Sequence, residues 1–124
     1  MRIIQLPFLL LAFTSLFAQA KVSAVIDKNS ITEDSIYRME FRVQASDNKF
    51  YEAGVSCASV NSSFTSDLFV YYSSTHIGAT ADLGQTCHPA WEVMNRIEQG
   101  EKLLISWDEK KFDGVATKLD YRWL

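Results

Sequence analysis

The chain is poor in the residues that carry chemistry. In 124 residues there are two cysteines, Cys57 and Cys87, and two histidines, His76 and His88. Two imidazoles give acid–base work near neutral pH few natural carriers. No C-x-x-C or H-x-x-x-H spacing occurs, and there is no Gly-rich phosphate loop, G-x-S-x-G or H-E-x-x-H. Those gaps remove the motif-defined metalloenzymes, nucleotide-binding folds and α/β-hydrolases. Basic charge is also scarce: 12 Lys and Arg stand against 15 Asp and Glu, and only Lys110-Lys111 are adjacent. Such a chain has no electrostatic footprint for nucleic acid or anionic lipid. Beyond the first twenty residues no apolar run approaches the roughly 18 residues of a membrane span.

What is present begins with MRIIQLPFLLLAFTSLFAQA. Arg2 gives a short positive start, and Ile3–Phe17 is apolar apart from Gln5, Pro7, Thr14 and Ser15. Ala18-Gln19-Ala20 then matches a small-x-small cleavage site, so residues 1–20 are expected to be a secretory signal peptide. No cysteine lies near the cut, which argues against a lipid anchor. Residues 21–124 are the length of one domain with one core, and no membrane insertion is expected after cleavage. The localisation implied is periplasmic or secreted.

Export places both cysteines in an oxidising compartment, where two thiols in a small domain usually pair. A Cys57–Cys87 bridge closes about 30 residues and is expected to contribute ~3–4 kcal/mol by restricting the unfolded chain.

The strand signals are period-two alternations. Tyr37, Met39, Phe41, Val43 and Ala45 share one parity, with Arg38, Glu40, Arg42 and Gln44 on the other. Near the end, Val115, Thr117, Leu119, Tyr121 and Trp123 alternate with Ala116, Lys118, Asp120 and Arg122. Shorter strands are expected around Val22–Ile26, Val55–Cys57, Leu68–Tyr72, Ile77–Leu83 and Leu103–Trp107. The turn signals Asp47-Asn48, Asn61-Ser62-Ser63, Gly84, Gly100 and Asp113-Gly114 separate them. The run PAWEVMNRIEQG supports a short helix near 89–98 through Pro89, Gly100 and the spacing of Ala90, Met94 and Ile97. Trp91, Val93, Asn95 and Ile97 also alternate as in a strand, so both readings stand. About seven strands at this spacing predict an all-β, antiparallel sandwich.

Two stretches, VSAVIDKNSITEDSIYRMEFRVQAS and IEQGEKLLISW, resemble strands of the immunoglobulin-like modules of bacterial exported proteins. The resemblance covers Val22–Ser46 and Ile97–Trp107. It implies an Ig-like sandwich and leaves function open, because that architecture hosts unrelated roles. The chain departs from the antibody pattern: no tryptophan lies between the cysteines, and Gln85 stands two residues before Cys87.

The chemistry left to weigh is thin. Read as extended chain, Cys87-His88 puts the two side chains on opposite faces, which argues against a thiol nucleophile and its base. Cys57, His76, Cys87 and His88, with thioethers from Met39 and Met94, form an alternative zinc or copper set. A small hydrolase with an unrecognised site is a further alternative. Carboxylate pairs such as Glu33-Asp34 and Asp108-Glu109 are expected in solvated loops. The aromatics say more. Tyr37, Phe41, Trp107, Tyr121 and Trp123 lie on inward parities. Tyr71 and Tyr72 cannot both face one core, and Trp91 sits in the ambiguous segment, so these three are candidate partner-binding anchors. The sequence thus predicts a small non-enzymatic binding protein of inhibitor, immunity or envelope-accessory type. Its partner is another protein, and no cofactor is implied.

Overall fold

Alternation becomes strand wherever one face meets a core. In Arg38–Gln44, Met39, Phe41 and Val43 are buried while Arg42 and Gln44 are exposed. The computed structural model describes residues 21–72, 78–108 and 117–124. The expected leader, His76, Ile77, Lys110-Lys111, Asp113-Gly114 and Val115 lie outside the described residues.

The strands are β1 (Lys21–Ile26), β2 (Ile31–Asp34), β3 (Arg38–Gln44), β4 (Phe50–Val60), β5 (Ser63–Tyr71), β6 (Gly78–Gly84), β7 (Leu103–Asp108), β8 (Thr117–Lys118) and β9 (Asp120–Trp123). One helix, α1, spans His88–Glu98, between β6 and β7. Five strands, β2 to β6, form an antiparallel meander, and β8 joins β6 in parallel, giving a six-stranded sheet. A second, three-stranded sheet has the order β1-β7-β9.

The molecule is an all-β sandwich whose second layer is completed by the helix. Strands β1 and β7 contact the large sheet through β3 and β8, while α1 contacts β4, β5 and β6. Val22, Ala24, Ile26, Leu103, Ile105 and Trp107 of the small sheet share one core with Ala90, Val93, Met94 and Ile97 of the helix. Met39, Phe41, Val55, Leu68 and Val70 face them from the large sheet. Three strands cannot cover six, so a sandwich of this shape needs another element with an apolar stripe.

That requirement decides the ambiguous segment in favour of a helix. Pro89 sits in the first turn, where its missing N–H removes no hydrogen bond. At the other end Gly100, with φ 99°, donates its N–H to the Ile97 carbonyl, and Gln99 donates to Asn95. The strand-like alternation of Trp91 and Asn95 carries no burial, since both are exposed.

Cys57 on β4 and Cys87 at the start of α1 form a disulfide, with a Cα–Cα distance of 5.1 Å. Ser66, fully buried on β5, donates to the Thr86 carbonyl and accepts from the Ala90 N–H at 3.1 Å. One covalent bond and two hydrogen bonds thus fasten the helix N-terminus to the inner face of the large sheet.

Several expectations are revised. There are nine strands among the described residues, against about seven expected. The C-terminal run divides at Leu119, whose N–H donates to Thr80 while its side chain is buried; β8 belongs to one sheet and β9 to the other. Glu33-Asp34 lie in strand β2, not a loop, because a register shift between Ile31 and Glu33 lets both pair with β3. Tyr37 is not a core residue: it precedes β3 and is 53% exposed. Tyr121 pairs with buried Ile105, yet it is 43% exposed because β9 is an edge strand. Asn61 and Ser62 both take positive φ and alone make the β4–β5 turn, while Ser63 already belongs to β5. No helix among the described residues is long and apolar enough to cross a membrane.

Candidate functional site

Among the described residues no other element packs on the outer face of the six-stranded sheet, which carries a set of aromatic and charged side chains. The register aligns Arg38 with Ser56 and then Asp67, and Glu40 with Gly54, Phe69 and Thr80. A third row runs Arg42, Glu52, Tyr71, Gly78. Phe69 lies flat across Gly54, where a Cβ would overlap the end of the ring. Its ring stacks on Tyr71, with centroids 6.1 Å apart and planes 9° apart. The Arg38 guanidinium sits 4.7 Å from the Phe69 centroid and is ion-paired with Glu40. Arg42 repeats the arrangement, 4.9 Å from the Phe50 ring and 3.0 Å from Glu52. An open depression of about 360 Å³ lies among Arg38, Ser56, Asp67, Phe69, Tyr71 and Thr80.

Carboxylates hold both guanidiniums in place over aromatic faces. Cation–π contact and ion pairing therefore pre-order side chains that would otherwise lose rotamer freedom on binding. The result is a shelf of alternating ring and charge, open above among the described residues.

The three anchors expected from the sequence do not form one site. Tyr71 belongs to the outer shelf. Tyr72 follows the end of β5 and packs against Tyr51, with centroids 5.3 Å apart, beneath Lys49. Tyr51 in turn meets Trp107 at 5.0 Å, so Tyr72 caps one end of the core while remaining 40% exposed. Trp91 projects from α1, in the other layer, and its indole N–H donates to the Ile36 carbonyl at 2.7 Å.

Phe69, Arg38 and Gly54 were not singled out by sequence reading. The signal was there in LFVYY, a run apolar on both parities: β5 lies inside the sheet, and of these residues only Leu68 and Val70 are buried against the second layer. An aromatic on the other parity of a two-layer domain is left against solvent.

The opening pair of the chemistry, Cys87-His88, is resolved by position. Cys87 is not in an extended segment: it is the residue before the helix, with φ −75° and ψ −17°. It is buried and disulfide-bonded, whereas the His88 side chain is 79% exposed and lies 3.7 Å from Glu92. The bridge takes both sulfurs out of the alternative metal set, and His76 lies outside the described residues. Among the described residues no three His, Cys, Asp or Glu side chains converge as a metal site would require.

Two electrostatic features flank α1. Arg96 forms a fork with Glu101, at 2.6 and 3.0 Å, which holds the Glu101 carboxyl below its usual range. Glu98 is pushed the other way, upward, first by loss of water around it and then by the charge and hydrogen bond of Asp34.

The fold and these surfaces define a class: a disulfide-stapled all-β sandwich with one helix in its second layer and an arginine–aromatic shelf on its open sheet. Compared with family models, curated proteins and solved structures, the chain gives no match.

Proposed function

We propose that this chain is an exported, non-enzymatic interaction protein of the periplasm or extracellular space, of inhibitor, immunity or envelope-accessory type. It engages another protein through the outer face of the six-stranded sheet. The observation that carries this reading is the Arg38–Phe69–Tyr71 arrangement. Arginine and tyrosine are enriched among residues that dominate interface energies, and here they are held in position before any partner arrives. Small-molecule sites enclose most of their ligand, whereas this depression is open, with Arg38 already paired to Glu40 and, among the described residues, Asp67 accepting only from the Thr65 hydroxyl. A partner protein with its own aromatic and acidic groups fits such a shelf. Export is supported by the leader-like residues 1–20 and by the pairing of the chain's two cysteines.

The test is a photo-crosslinking amino acid placed at Phe69, and separately at Ser23 on the small sheet, in protein expressed in its own envelope. A discrete adduct from position 69 and none from 23 is expected. Phe69→Ala and Arg38→Ala should each weaken capture of that adduct's protein by about tenfold or more, roughly 1.4 kcal/mol, with a cooperative urea transition verifying that each variant is folded. Equal capture by the variants would remove the shelf from the interface.

A further inference from the structure

A second surface lies on the far side of the large sheet, where α1 meets the β2–β3 turn. A groove of about 440 Å³ runs between them. Its floor is Met94, which is 5% exposed. One wall is Trp91, 42% exposed, its ring pinned by the hydrogen bond to the Ile36 carbonyl. The other is Ile36, an isoleucine 67% exposed in the turn. Asp34 and Glu98 close one end. Asp34 reaches it because it pairs with Met39 and so shares the inward face of the sheet with that buried side chain. Neither carboxylate makes an ion pair with a lysine or arginine among the described residues.

A groove with Trp91, Met94 and Ile36 along it, Ser35 and Asn95 beside them, and two neighbouring carboxylates at its end that no described lysine or arginine pairs, is complementary to one kind of side chain. We infer that this groove receives an exposed arginine of a partner protein. The three methylenes lie against Met94 and Ile36, the guanidinium plane stacks on the Trp91 face, and the fork of N–H donors spans Asp34 and Glu98. A guanidinium supplies five donors in a plane, matches two acceptors at once and stacks on aromatics; an ammonium does neither of the last two as well. Cation binding also relieves the repulsion between the carboxylates, an attraction that a neutral guest of the same shape lacks. This inference does not depend on the outer shelf.

The experiment uses the mature protein labelled with nitrogen-15 and follows the Trp91 indole N–H, assigned with Trp91→Phe. Three blocked tripeptides, Ala-Arg-Ala, Ala-Lys-Ala and Ala-citrulline-Ala, are titrated at low ionic strength. A saturable shift of the Trp91 signal is expected with the arginine peptide, in the millimolar range. The lysine peptide should bind more weakly, and the citrulline peptide, a neutral near-isostere, weaker by about tenfold or more. Asp34→Asn and Glu98→Gln should each weaken arginine-peptide binding by about threefold to tenfold, while Phe69→Ala leaves it unchanged. Both groove variants replace exposed carboxylates by amides of the same shape, and their melting curves verify folding. No saturable shift, equal binding of the citrulline peptide, or tighter binding of the lysine peptide would overturn the inference.

Discussion

Two glycines of the large sheet show how one hydrogen can set a local outcome. At Gly54 the space a methyl would take is held by the tip of the Phe69 ring, which is half-buried and can swing aside. At Gly78 the space is held by the Val70 carbonyl, which belongs to the β5–β6 ladder and cannot. Gly54→Ala is therefore expected to cost about 1 kcal/mol, and Gly78→Ala about 3 kcal/mol, in urea unfolding. Gly54→Ala should also lift Phe69 off the sheet and weaken shelf binding, an effect that Gly78→Ala does not share per unit of lost stability. Neither role was legible in the sequence. A glycine in a strand signals a close approach without saying what approaches, and the ring over Gly54 comes from the neighbouring strand.

At the scale of elements, α1 is a helix with two kinds of neighbour. Ala90, Val93, Met94 and Ile97 are buried against the large sheet; burial of Ile97 alone is worth roughly 2–3 kcal/mol. Its exposed flank meets β2 through Glu98 and Asp34, and that contact is repulsive at neutral pH. The folded protein holds the Glu98 proton more tightly than the unfolded chain does, so acidification through the carboxylate range relieves a strain that deprotonation imposes. Glu98→Gln should therefore unfold at slightly higher urea than the parent at pH 7, and the advantage should vanish below about pH 4. The Arg96–Glu101 pair has the opposite sign: its stabilisation is present above the carboxylate range and is lost as pH falls through the depressed Glu101 value. Glu101→Gln should accordingly show no gain at pH 7. The helical spacing itself was readable, as were Pro89 and Gly100. What periodicity could not separate was helix from strand, because Ile97 satisfies both patterns. The three-stranded sheet left the large sheet half uncovered, and only an apolar stripe of helical width fills that space.

For the whole molecule the disulfide joins the two layers. It links β4 of the large sheet to the start of α1 across a sequence separation of 30 residues. Cys57→Ser with Cys87→Ser is expected to lower stability by ~3–4 kcal/mol through loop-closure entropy, a large share of a typical 5–15 kcal/mol. Hydrogen exchange should report the loss first in α1, whose remaining N-terminal ties are the Ser66 hydrogen bonds and the Trp91 indole bond to Ile36, and later in β3, β4 and β5. Uniform acceleration across both sheets would mean that the bridge restrains the unfolded chain without specially holding the helix.

The amino-acid order alone determined the things that depend on nearest neighbours along the chain. It carried the alternating strands such as Arg38–Gln44, the all-β class, the Pro89 and Gly100 signals that a helix could use, and, given export, the pairing of the two cysteines, since no third exists to compete. Tertiary structure decided what depends on neighbours across space. It split the C-terminal run between two sheets at Leu119, put Tyr37 in solvent, divided Tyr71, Tyr72 and Trp91 among three surroundings, and assembled Arg38, Phe69 and Tyr71 on the face that no second layer covers among the described residues. The physical reason is coverage: parity assigns a side chain to one of two faces, but only packing of a narrow sheet and one helix against a wide sheet determines which face meets water.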